Sequence, residues 1–359
     1  MTTLPALCIG QHTARYPIIQ GGMGIRISGA RLASAVANVG GVGIVSAVAL
    51  GFGSTYFNPK QGKKDLFEAN RLALIDELQE ARRLSPTGII GINSMVAGQD
   101  HEIVTRTAAE YGANLIIAGA GLPLQLPEYT RDYPDVALVP IISSTRAAKV
   151  ICRKWERKYG RLPDALIVEN PNTAGGHLGA KSEELGVESL EAEQVIPELI
   201  TYLQDELKAD IPIIAAGGIW NRADINQALA LGASGVQMGT RFITTDECDA
   251  DQNYKEFHRD ANPEDVVIVP SPVGLPGRAL RNPFAEKAIA HSRDLDRRCF
   301  GSCLVYCSCR DRGEQYCIAR ALHKAAQGDV ENGLIFAGSN AGRAKEIVPV
   351  ADLMAELVS

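Results

Sequence analysis

The sequence lacks the features that mark nucleic-acid-binding and membrane proteins. Its 359 residues carry 36 Lys and Arg against 42 Asp and Glu, a net charge of −6, with no run of basic residues. This balance argues against a nucleic-acid surface. No stretch reaches ~18 uninterrupted apolar residues, and no basic segment followed by an apolar one opens the chain. We therefore expect a cytoplasmic protein without a membrane or nucleic-acid partner.

Aromatic residues are also scarce, at 6% of the chain, whereas 46% of the residues are hydrophobic and 22% are charged. A chain of this length and composition can bury one large core and carry an appendage. Globular, soluble and ordered structure is therefore expected.

Short apolar runs rich in β-branched residues recur with helical segments between them. The runs cover 17–20, 42–47, 89–94, 115–118, 136–143, 165–169, 212–216 and 235–242, and helices are predicted over 29–39, 66–83, 100–111, 145–159, 189–207 and 222–231. Continuous apolar strands alternating with helices predict a parallel sheet covered on its outer face. Eight units within ~240 residues favour a (β/α)8 TIM barrel over a doubly wound sheet.

The alternation ends beyond Phe242. Residues 244–259 look helical, and a Pro/Gly-rich turn over 270–276, five cysteines and an amphipathic segment over 348–358 follow. We predict a barrel over 1–243. An inserted cysteine-rich subdomain that covers the barrel mouth is predicted over 244–334, and a C-terminal segment that closes the barrel over 335–359.

One histidine lies in a glycine-rich loop directly after a predicted strand. The segment Pro171-Asn-Thr-Ala-Gly-Gly-His177-Leu-Gly-Ala180 follows the run 165–169. Barrel enzymes keep their chemistry at this end of their strands. Gly176 lets the backbone approach a planar ligand closely, and the imidazole titrates near neutral pH. His177 is therefore the predicted catalytic residue.

Glycines also follow the seventh run and lie within the eighth. Gly217 and Gly218 come after the seventh, and Gly239 and Thr240 lie in the eighth. Loops at these positions bind phosphate in many barrels, because glycine exposes backbone N–H groups and the next helix adds its N-terminal dipole. Tight turns alone would explain either motif singly, but both together favour a phosphorylated cofactor.

Two further strand ends suit a flat ring. The first run is followed by Gly21, Gly22 and Met23, whose glycine density allows a ring to lie against the backbone. The third run contributes Asn93, whose amide can reach the edge of a heterocycle.

These motifs resemble those of the nitronate monooxygenase family, formerly called 2-nitropropane dioxygenases. The resemblance covers residues 15–243, and the same family includes the flavin-dependent enoyl-acyl-carrier-protein reductases. It rests on Pro17-Ile-Ile-Gln-Gly-Gly-Met23, Gly91-Ile-Asn93, Ala174-Gly-Gly-His177-Leu-Gly179, Ala215-Ala-Gly-Gly-Ile219 and Gly235-Val-Gln-Met-Gly-Thr240.

The resemblance implies a TIM barrel with FMN across its top. The phosphate is expected near Gly217, Gly218, Gly239 and Thr240, and the ring near Gly21, Gly22, Met23 and Asn93, with Gly176 also against the cofactor. In the monooxygenases the corresponding histidine is assigned to substrate binding and to handling the proton of the acidic carbon, and in the reductases it helps to position or protonate the substrate.

The sequence departs from the family at one position of the loop. Many relatives have Glu where this chain has Thr173, and either Glu169 or Asn170 could replace that carboxylate or its role. The segments 271–282 and 328–342 look more like the enoyl reductase branch, where similar loops lie over the flavin. Arg278 and Arg281 within the first segment could meet an anionic group or lie solvated at the surface.

Five of the eight cysteines lie within nineteen residues. They are Cys299, Cys303, Cys307, Cys309 and Cys317. If the first stretch is helical, the four-residue spacing puts three thiols on one face, and four of the five could bind a metal. Beside a flavin, a [4Fe–4S] cluster is favoured as an electron relay over zinc or free thiols.

The sequence therefore predicts an FMN-dependent oxidoreductase of the nitronate monooxygenase type, with an additional Fe–S cluster. It would oxidise alkyl nitronates or a related small acidic-carbon substrate, with His177 as the acid/base. The alternative is an NAD(P)H-dependent enoyl-thioester reductase, and the cluster raises a third reading in which a protein donates the electrons. A homo-oligomer is also expected, since barrel flavoenzymes commonly associate.

Overall fold

Eight parallel strands form a closed barrel in the computed structural model, which describes residues 3–58, 60, 63–299 and 301–359. Starting from the first barrel strand, the order is β3, β4, β5, β6, β7, β8, β10 and β11, which pairs with β3 again. In chain order the strands are β1 (Leu7–Ile9), β2 (His12–Ala14), β3 (Ile18–Gln20), β4 (Val42–Ser46), β5 (Ile89–Met95), β6 (Leu115–Gly119), β7 (Ala137–Ile142), β8 (Leu166–Glu169), β9 (Gly176–His177), β10 (Ile213–Ala216), β11 (Gly235–Met238), β12 (Val266–Val269) and β13 (Gly277–Leu280).

Helices follow most barrel strands and cover the outside of the barrel, and further helices lie in the segment after β11. They are α1 (Ala30–Asn38), α2 (Lys63–Leu84), α3 (His101–Glu110), α4 (Leu126–Tyr129), α5 (Thr145–Tyr159), α6 (Ala192–Thr201), α7 (Arg222–Ala230), α8 (Thr240–Ile243), α9 (Gln252–Asp260), α10 (Pro283–Ile289), α11 (Ser308–Arg312), α12 (Ile318–Ala326) and α13 (Val350–Val358). A π-helical turn, Tyr202–Leu207, continues α6.

The predicted TIM barrel is confirmed, and each of the eight apolar runs coincides in most of its strand positions with one barrel strand. Two predicted elements are shorter than expected. The eighth run ends as a strand at Met238, and Phe242 lies in the short helix α8. The helix predicted over 244–259 begins only at Gln252, where Asp251 caps it by accepting a hydrogen bond from the Asn253 N–H.

Alternation along the strands divides the core into two layers. Ile44 and Ile167 pack inside the barrel, whereas Val45 and Leu166 pack against the outer helices. The β1–β2 hairpin adds Leu7 and Ile9 to the inner layer. Because the interior is filled, ligands are restricted to the loops at the strand ends.

The segment after β11 forms a cover that is joined to the barrel by β9. Strands β12, β13 and β9 make an antiparallel sheet, with Gly277 opposite His177. A separate apolar cluster underlies this cover and includes Phe284, Tyr316 and Leu334. The C-terminal helix α13 returns to the barrel, where its buried side chains join the outer layer of the core.

Within the described residues, no helix combines the length and the apolar character that a membrane span requires.

Candidate active site

A cavity of about 320 Å³ opens at the carboxyl ends of the barrel strands, beneath the cover. Its lining comes from the loops after the barrel strands, from α12 and from residues 336–340. All of the residues predicted to be catalytic or cofactor-binding line this one cavity: Gly21, Gly22, Met23, Asn93, Gly176, His177, Gly217, Gly218, Gly239 and Thr240. The sequence motifs thus converge on one site.

His177 is fixed in the cavity wall by contacts on two sides. Its Nε2 lies 2.8 Å from the hydroxyl oxygen of Ser271, in the stretch between β12 and β13. The ring of Phe336 meets the imidazole edge to face, with 5.0 Å between ring centroids. Burial lowers the pKa of His177 to about 4. The imidazole is therefore neutral at physiological pH and able to accept a proton.

The loop that carries His177 is held by Arg278 of β13. The buried guanidinium donates hydrogen bonds to the carbonyl oxygens of Pro171, Asn172 and Ala174. Burial lowers the pKa of this arginine, and the carbonyl oxygens satisfy its donors. Arg281 instead pairs with Glu286. The expectation that these two arginines meet an anionic ligand is not supported, because protein acceptors already engage both.

Four backbone N–H groups at the predicted phosphate loops are free of protein partners. Among the described residues, those of Gly217, Gly218, Gly239 and Thr240 donate to no carbonyl oxygen in the loops. Gly217 and Gly218 have φ values of +91° and +77°, a conformation that favours glycine. Free N–H groups that line a cavity near the start of α7 bind anions well, so these residues fit a flavin phosphate.

The C-terminal segment forms hydrogen bonds with both of these loops. The Gly338 N–H donates to Thr240 Oγ1 at 2.8 Å, and the Asn340 side-chain amide donates to the Gly218 carbonyl at 2.7 Å. Thr240 thus keeps its own hydroxyl proton for a ligand. The sequence analysis noted the segments 271–282 and 328–342 but assigned no role to Ser271, Phe336 or Asn340.

Thr173, which replaces the usual Glu of the loop, lies beside the phosphate loops. A side chain added at Gly218 would meet the Thr173 side chain at 3.1 Å, and the Thr173 carbonyl accepts from the Ser339 N–H. Of the two suggested replacements, Asn170 donates to Glu191 at 2.6 Å and does not line the cavity. Glu169 does line the cavity, and burial raises its pKa to about 7.

Apolar side chains next to the cover line part of the cavity, which we call the apolar arm. Asp100 also lines the cavity; its Oδ2 accepts a hydrogen bond from the Asn70 amide at 2.6 Å, and its pKa is raised by burial. The apolar side chains of this arm are those of Ile25, Val48, Val104, Leu304, Ile318 and Leu322. An apolar wall of this extent suits a ligand with an apolar body.

The predicted metal site is not found. Among the described residues, no three His, Cys, Asp or Glu side chains are grouped so that they could hold a metal ion. The helix that would align Cys299, Cys303 and Cys307 does not form, because Ser302 has a left-handed backbone (φ 43°) and α11 begins only at Ser308. Phe300 lies outside the described residues.

The individual thiols are placed as parts of the cover. Cys309 is buried in an apolar cluster, and its thiol donates to the Arg297 carbonyl at 3.3 Å. Cys303 and Cys317 pack against two apolar clusters, and burial raises the pKa of Cys303 to about 12. Burial favours the neutral thiol at Cys303, and the neighbouring thiols of Cys317, Cys299 and Cys307 act in the same direction.

The closed (β/α)8 barrel, with His177 and the glycine-rich loops at the carboxyl ends of its strands, places the chain among the TIM-barrel proteins. The chain belongs to the nitronate monooxygenase family, whose model matches residues 6–359. This family is flavin-dependent.

Curated relatives support this assignment. A probable nitronate monooxygenase from Staphylococcus saprophyticus is 25% identical over 304 residues, which are 77% of this chain and 79% of the relative. A (3aS,4S,5R,7aS)-5-hydroxy-7a-methyl-1-oxo-octahydro-1H-indene-4-carboxyl-CoA dehydrogenase from Mycobacterium tuberculosis is 27% identical over 77% of this chain. That match spans 66% of the dehydrogenase.

Among solved structures, FabK from Thermotoga maritima superposes with a TM-score of 0.71 and 26% identity, covering 96% of this chain and 92% of that one. The family and these relatives make the chain an oxidoreductase.

Proposed function

We propose that the protein is an FMN-dependent oxidoreductase of the nitronate monooxygenase type, in which His177 takes the proton from an acidic carbon of a small substrate. The observation that carries this proposal is the position of His177, a neutral imidazole that lines the same cavity as the phosphate loops. FMN, when bound, supplies the electron acceptor for the oxidation.

Different residues of the chain would bind the phosphate, contact the ring and orient His177. Gly217, Gly218, Gly239 and Thr240 would hold the phosphate, and the ring would lie near Gly21, Gly22, Met23, Gly176 and Asn93. Ser271 would hold Nε2 of His177, so that the other ring nitrogen faces the reaction. An anionic product beside the imidazole would raise its pKa and so favour proton transfer to it.

The acidic carbon is the common element of the substrates considered. Nitroalkanes lose a proton from the carbon next to the nitro group to give nitronates. The Mycobacterium tuberculosis relative is named for a carboxyl-CoA thioester, which also has an acidic carbon next to its carbonyl group. The apolar arm of the cavity would take the remaining body of either kind of molecule.

The test compares a neutral nitroalkane with its nitronate under anaerobic conditions, with bleaching of the flavin absorbance as readout. The nitroalkane needs a base and the nitronate has already lost the proton. Wild type should be reduced by both, whereas His177→Ala should retain bound flavin and respond only to the nitronate. Equal loss with both substrates would instead assign His177 to substrate binding.

The second candidate is an NAD(P)H-dependent enoyl-thioester reductase, favoured by the similarity to FabK over 96% of the chain. This role would require His177 to give a proton. Both roles pass through the charged imidazole, which burial disfavours, so the pKa of His177 does not separate the two candidates. Anaerobic titration with NADH and NADPH separates the two. Bleaching by either nucleotide, followed by reoxidation with a short enoyl-CoA, would establish the reductase.

Three further assignments belong to the proposal. Residues 1–243 would form the cofactor-binding barrel, 244–334 the substrate-covering subdomain and 335–359 the closing segment. A small molecule would be the substrate, with NAD(P)H or a protein donor required only by the reductase readings. Association into a homo-oligomer is checked by light scattering of the purified protein.

A further inference from the structure

Asp100 lies next to side chains of the apolar arm. Val104 follows it by one turn of α3, with its N–H bonded to the Asp100 carbonyl at 2.9 Å, so the two residues are neighbours on one face of the helix. Leu304 of the cover forms an antiparallel bridge with Gly98, two positions before Asp100. Asp100, Val104 and Leu304 all line the cavity. The carboxyl group therefore lies where the cover meets the barrel, beside the apolar arm.

Helix capping does not explain this carboxyl group. Asp100 is the N-cap residue of α3, a position where an aspartate side chain normally accepts a hydrogen bond from the first turn. Here the side chain makes no capping hydrogen bond. Apart from the Asn70 amide and its own N–H, no described residue donates to the Asp100 carboxyl group. The carboxyl group thus keeps acceptor capacity for a ligand.

Asn70 holds the Asp100 carboxyl group in place. Asn70 is 2% exposed, and its Oδ1 accepts a hydrogen bond from the Gly51 N–H at 2.8 Å. Its amide nitrogen donates to Asp100 Oδ2 at 2.6 Å. Both ends of the Asn70 amide are engaged, so the carboxyl group has a fixed orientation. A side chain held by a buried neighbour is preorganised to bind a ligand.

The Asp100 carboxyl group has no counter-charge. Among the described residues it forms no ion pair, and neither Lys nor Arg lines the cavity. His101 is neutral, because burial lowers its pKa to about 4, and its Nδ1 lies 2.8 Å from the Ser94 hydroxyl oxygen. Burial raises the pKa of Asp100, since a charge without a partner is costly in these surroundings. A ligand that brings a cation would offset this cost.

Asp100 and His177 lie on different sides of the barrel mouth. Asp100 follows β5, and His177 follows β8. Strands β6 and β7 separate β5 from β8 in one direction, and β4, β3, β11 and β10 separate them in the other. A substrate whose acidic carbon lies at His177 and whose body fills the apolar arm would therefore extend across the mouth toward Asp100.

We infer that Asp100 is a specificity-determining residue, whose carboxylate binds an ammonium group at the far end of a substrate with an apolar body. This inference rests on the proposed function, since it takes the acidic carbon of the substrate to lie beside His177. An alkylammonium ion supplies both N–H donors and the counter-charge that the cavity lacks. The apolar arm covers the carbon chain between the two ends.

The first test compares the binding of n-hexylammonium and n-hexanol to the purified protein by isothermal titration calorimetry at about pH 7. Wild type should bind the ammonium ion about 10- to 100-fold more tightly, because charge-assisted hydrogen bonds are stronger than neutral ones. Asp100→Asn keeps the shape, removes the charge and should bind both ligands alike. Asp132→Asn, at an exposed position between α4 and β7, is the matched control and should keep the preference.

Two results of this titration would overturn the inference. Equal affinity of wild type for the two ligands would do so without any variant. The other carboxyl group among the described lining residues is that of Glu169. Loss of the preference in Glu169→Gln, with the preference retained in Asp100→Asn, would assign the ammonium group to Glu169 instead.

The second test uses turnover and separates this inference from the proposed function. The ratio of kcat/KM is measured for a nitroalkane with a terminal ammonium group over the methyl-terminated nitroalkane of the same length. Wild type should prefer the ammonium substrate about 10- to 100-fold, and Asp100→Asn should lose the preference. If nitroalkanes bleach the flavin without any preference, the inference fails and the proposed function stands. If n-hexylammonium binds through Asp100 but no nitroalkane bleaches the flavin, the proposed function fails and the ammonium site stands.

Discussion

His177 and Ser271 are 94 positions apart in the chain, yet the imidazole Nε2 lies 2.8 Å from the hydroxyl oxygen. The antiparallel pairing of β9 with β13 brings them together, since it places Gly277 opposite His177. The cover of the barrel thus orients the catalytic candidate as well as enclosing the cavity.

Removal of the Ser271 hydroxyl should release His177 from its orientation. Ser271→Ala is expected to lower kcat for a neutral nitroalkane about 10- to 100-fold, because partners that orient a reacting imidazole contribute effects of this size. Steady-state kinetics with the nitroalkane and its nitronate measure this. Ser271→Thr keeps a hydroxyl and should retain most of the activity; an equal loss in both variants would indicate a packing role for Ser271.

The phosphate loop should not tolerate a side chain at Gly217. Its φ of +91° disfavours other residues, and an added Cβ would lie 2.9 Å from the Asn170 carbonyl oxygen. Gly217→Ala should weaken FMN binding by about tenfold or more, since the loop must shift. Gly160→Ala is the matched control, because Gly160 also has a positive φ but ends α5 with open space around it. Comparable loss of flavin in the control would contradict the assignment.

The rate of proton abstraction should not decrease near pH 6.5, where an ordinary histidine becomes protonated. A base must be neutral to act, and burial lowers the pKa of His177 to about 4. For the FMN-saturated enzyme, kcat/KM with a neutral nitroalkane should stay level from about pH 7 to about pH 5, then fall tenfold per unit below about pH 4. A decline that begins near pH 6.5 would show that His177 is solvated, in contradiction to its burial.

His258 should make the protein sensitive to acid. It is 1% exposed, neither ring nitrogen has a partner among the described residues, and burial lowers its pKa to about 3. Between about pH 6.5 and pH 3 the unfolded chain binds a proton that the folded one does not. The free energy of unfolding should therefore fall as pH decreases, by about 1.4 kcal/mol per unit from this group.

Replacement of His258 by Phe tests this contribution by denaturant unfolding at several pH values. The variant should be as stable as wild type at neutral pH, since an unsatisfied polar ring is exchanged for an apolar one of similar size. Below about pH 6 it should be the more stable protein. Parallel pH dependence in the two proteins would mean that His258 is hydrogen-bonded in solution.

The barrel could be predicted because its signals are local. Each barrel strand is a short apolar run, and the glycine-rich loops follow the strands directly, so chain order alone carries Gly217 and Gly239 to the same end of the barrel. The contacts made by the cover could not be predicted from the sequence. Ser271 contacts His177, 94 positions away, and Asn340 contacts Gly218, 122 positions away. Neither residue lies in a sequence motif that predicts such a contact.

In the cysteine-rich stretch, by contrast, a local spacing pattern led to a wrong prediction. A four-residue spacing suggested a helix with a face of thiols, but spacing alone does not form a helix. Gly301 and the left-handed Ser302 interrupt the segment, and the next helix, α11, begins only at Ser308.

The measurement that tests the central claim most directly is anaerobic reduction of the flavin-loaded His177→Ala variant by a neutral nitroalkane and, separately, by its nitronate. We predict that the variant binds flavin, is bleached by the nitronate at close to the wild-type rate, and is not bleached by the nitroalkane. Bleaching by the nitroalkane at the wild-type rate would contradict the assignment of His177 as the base.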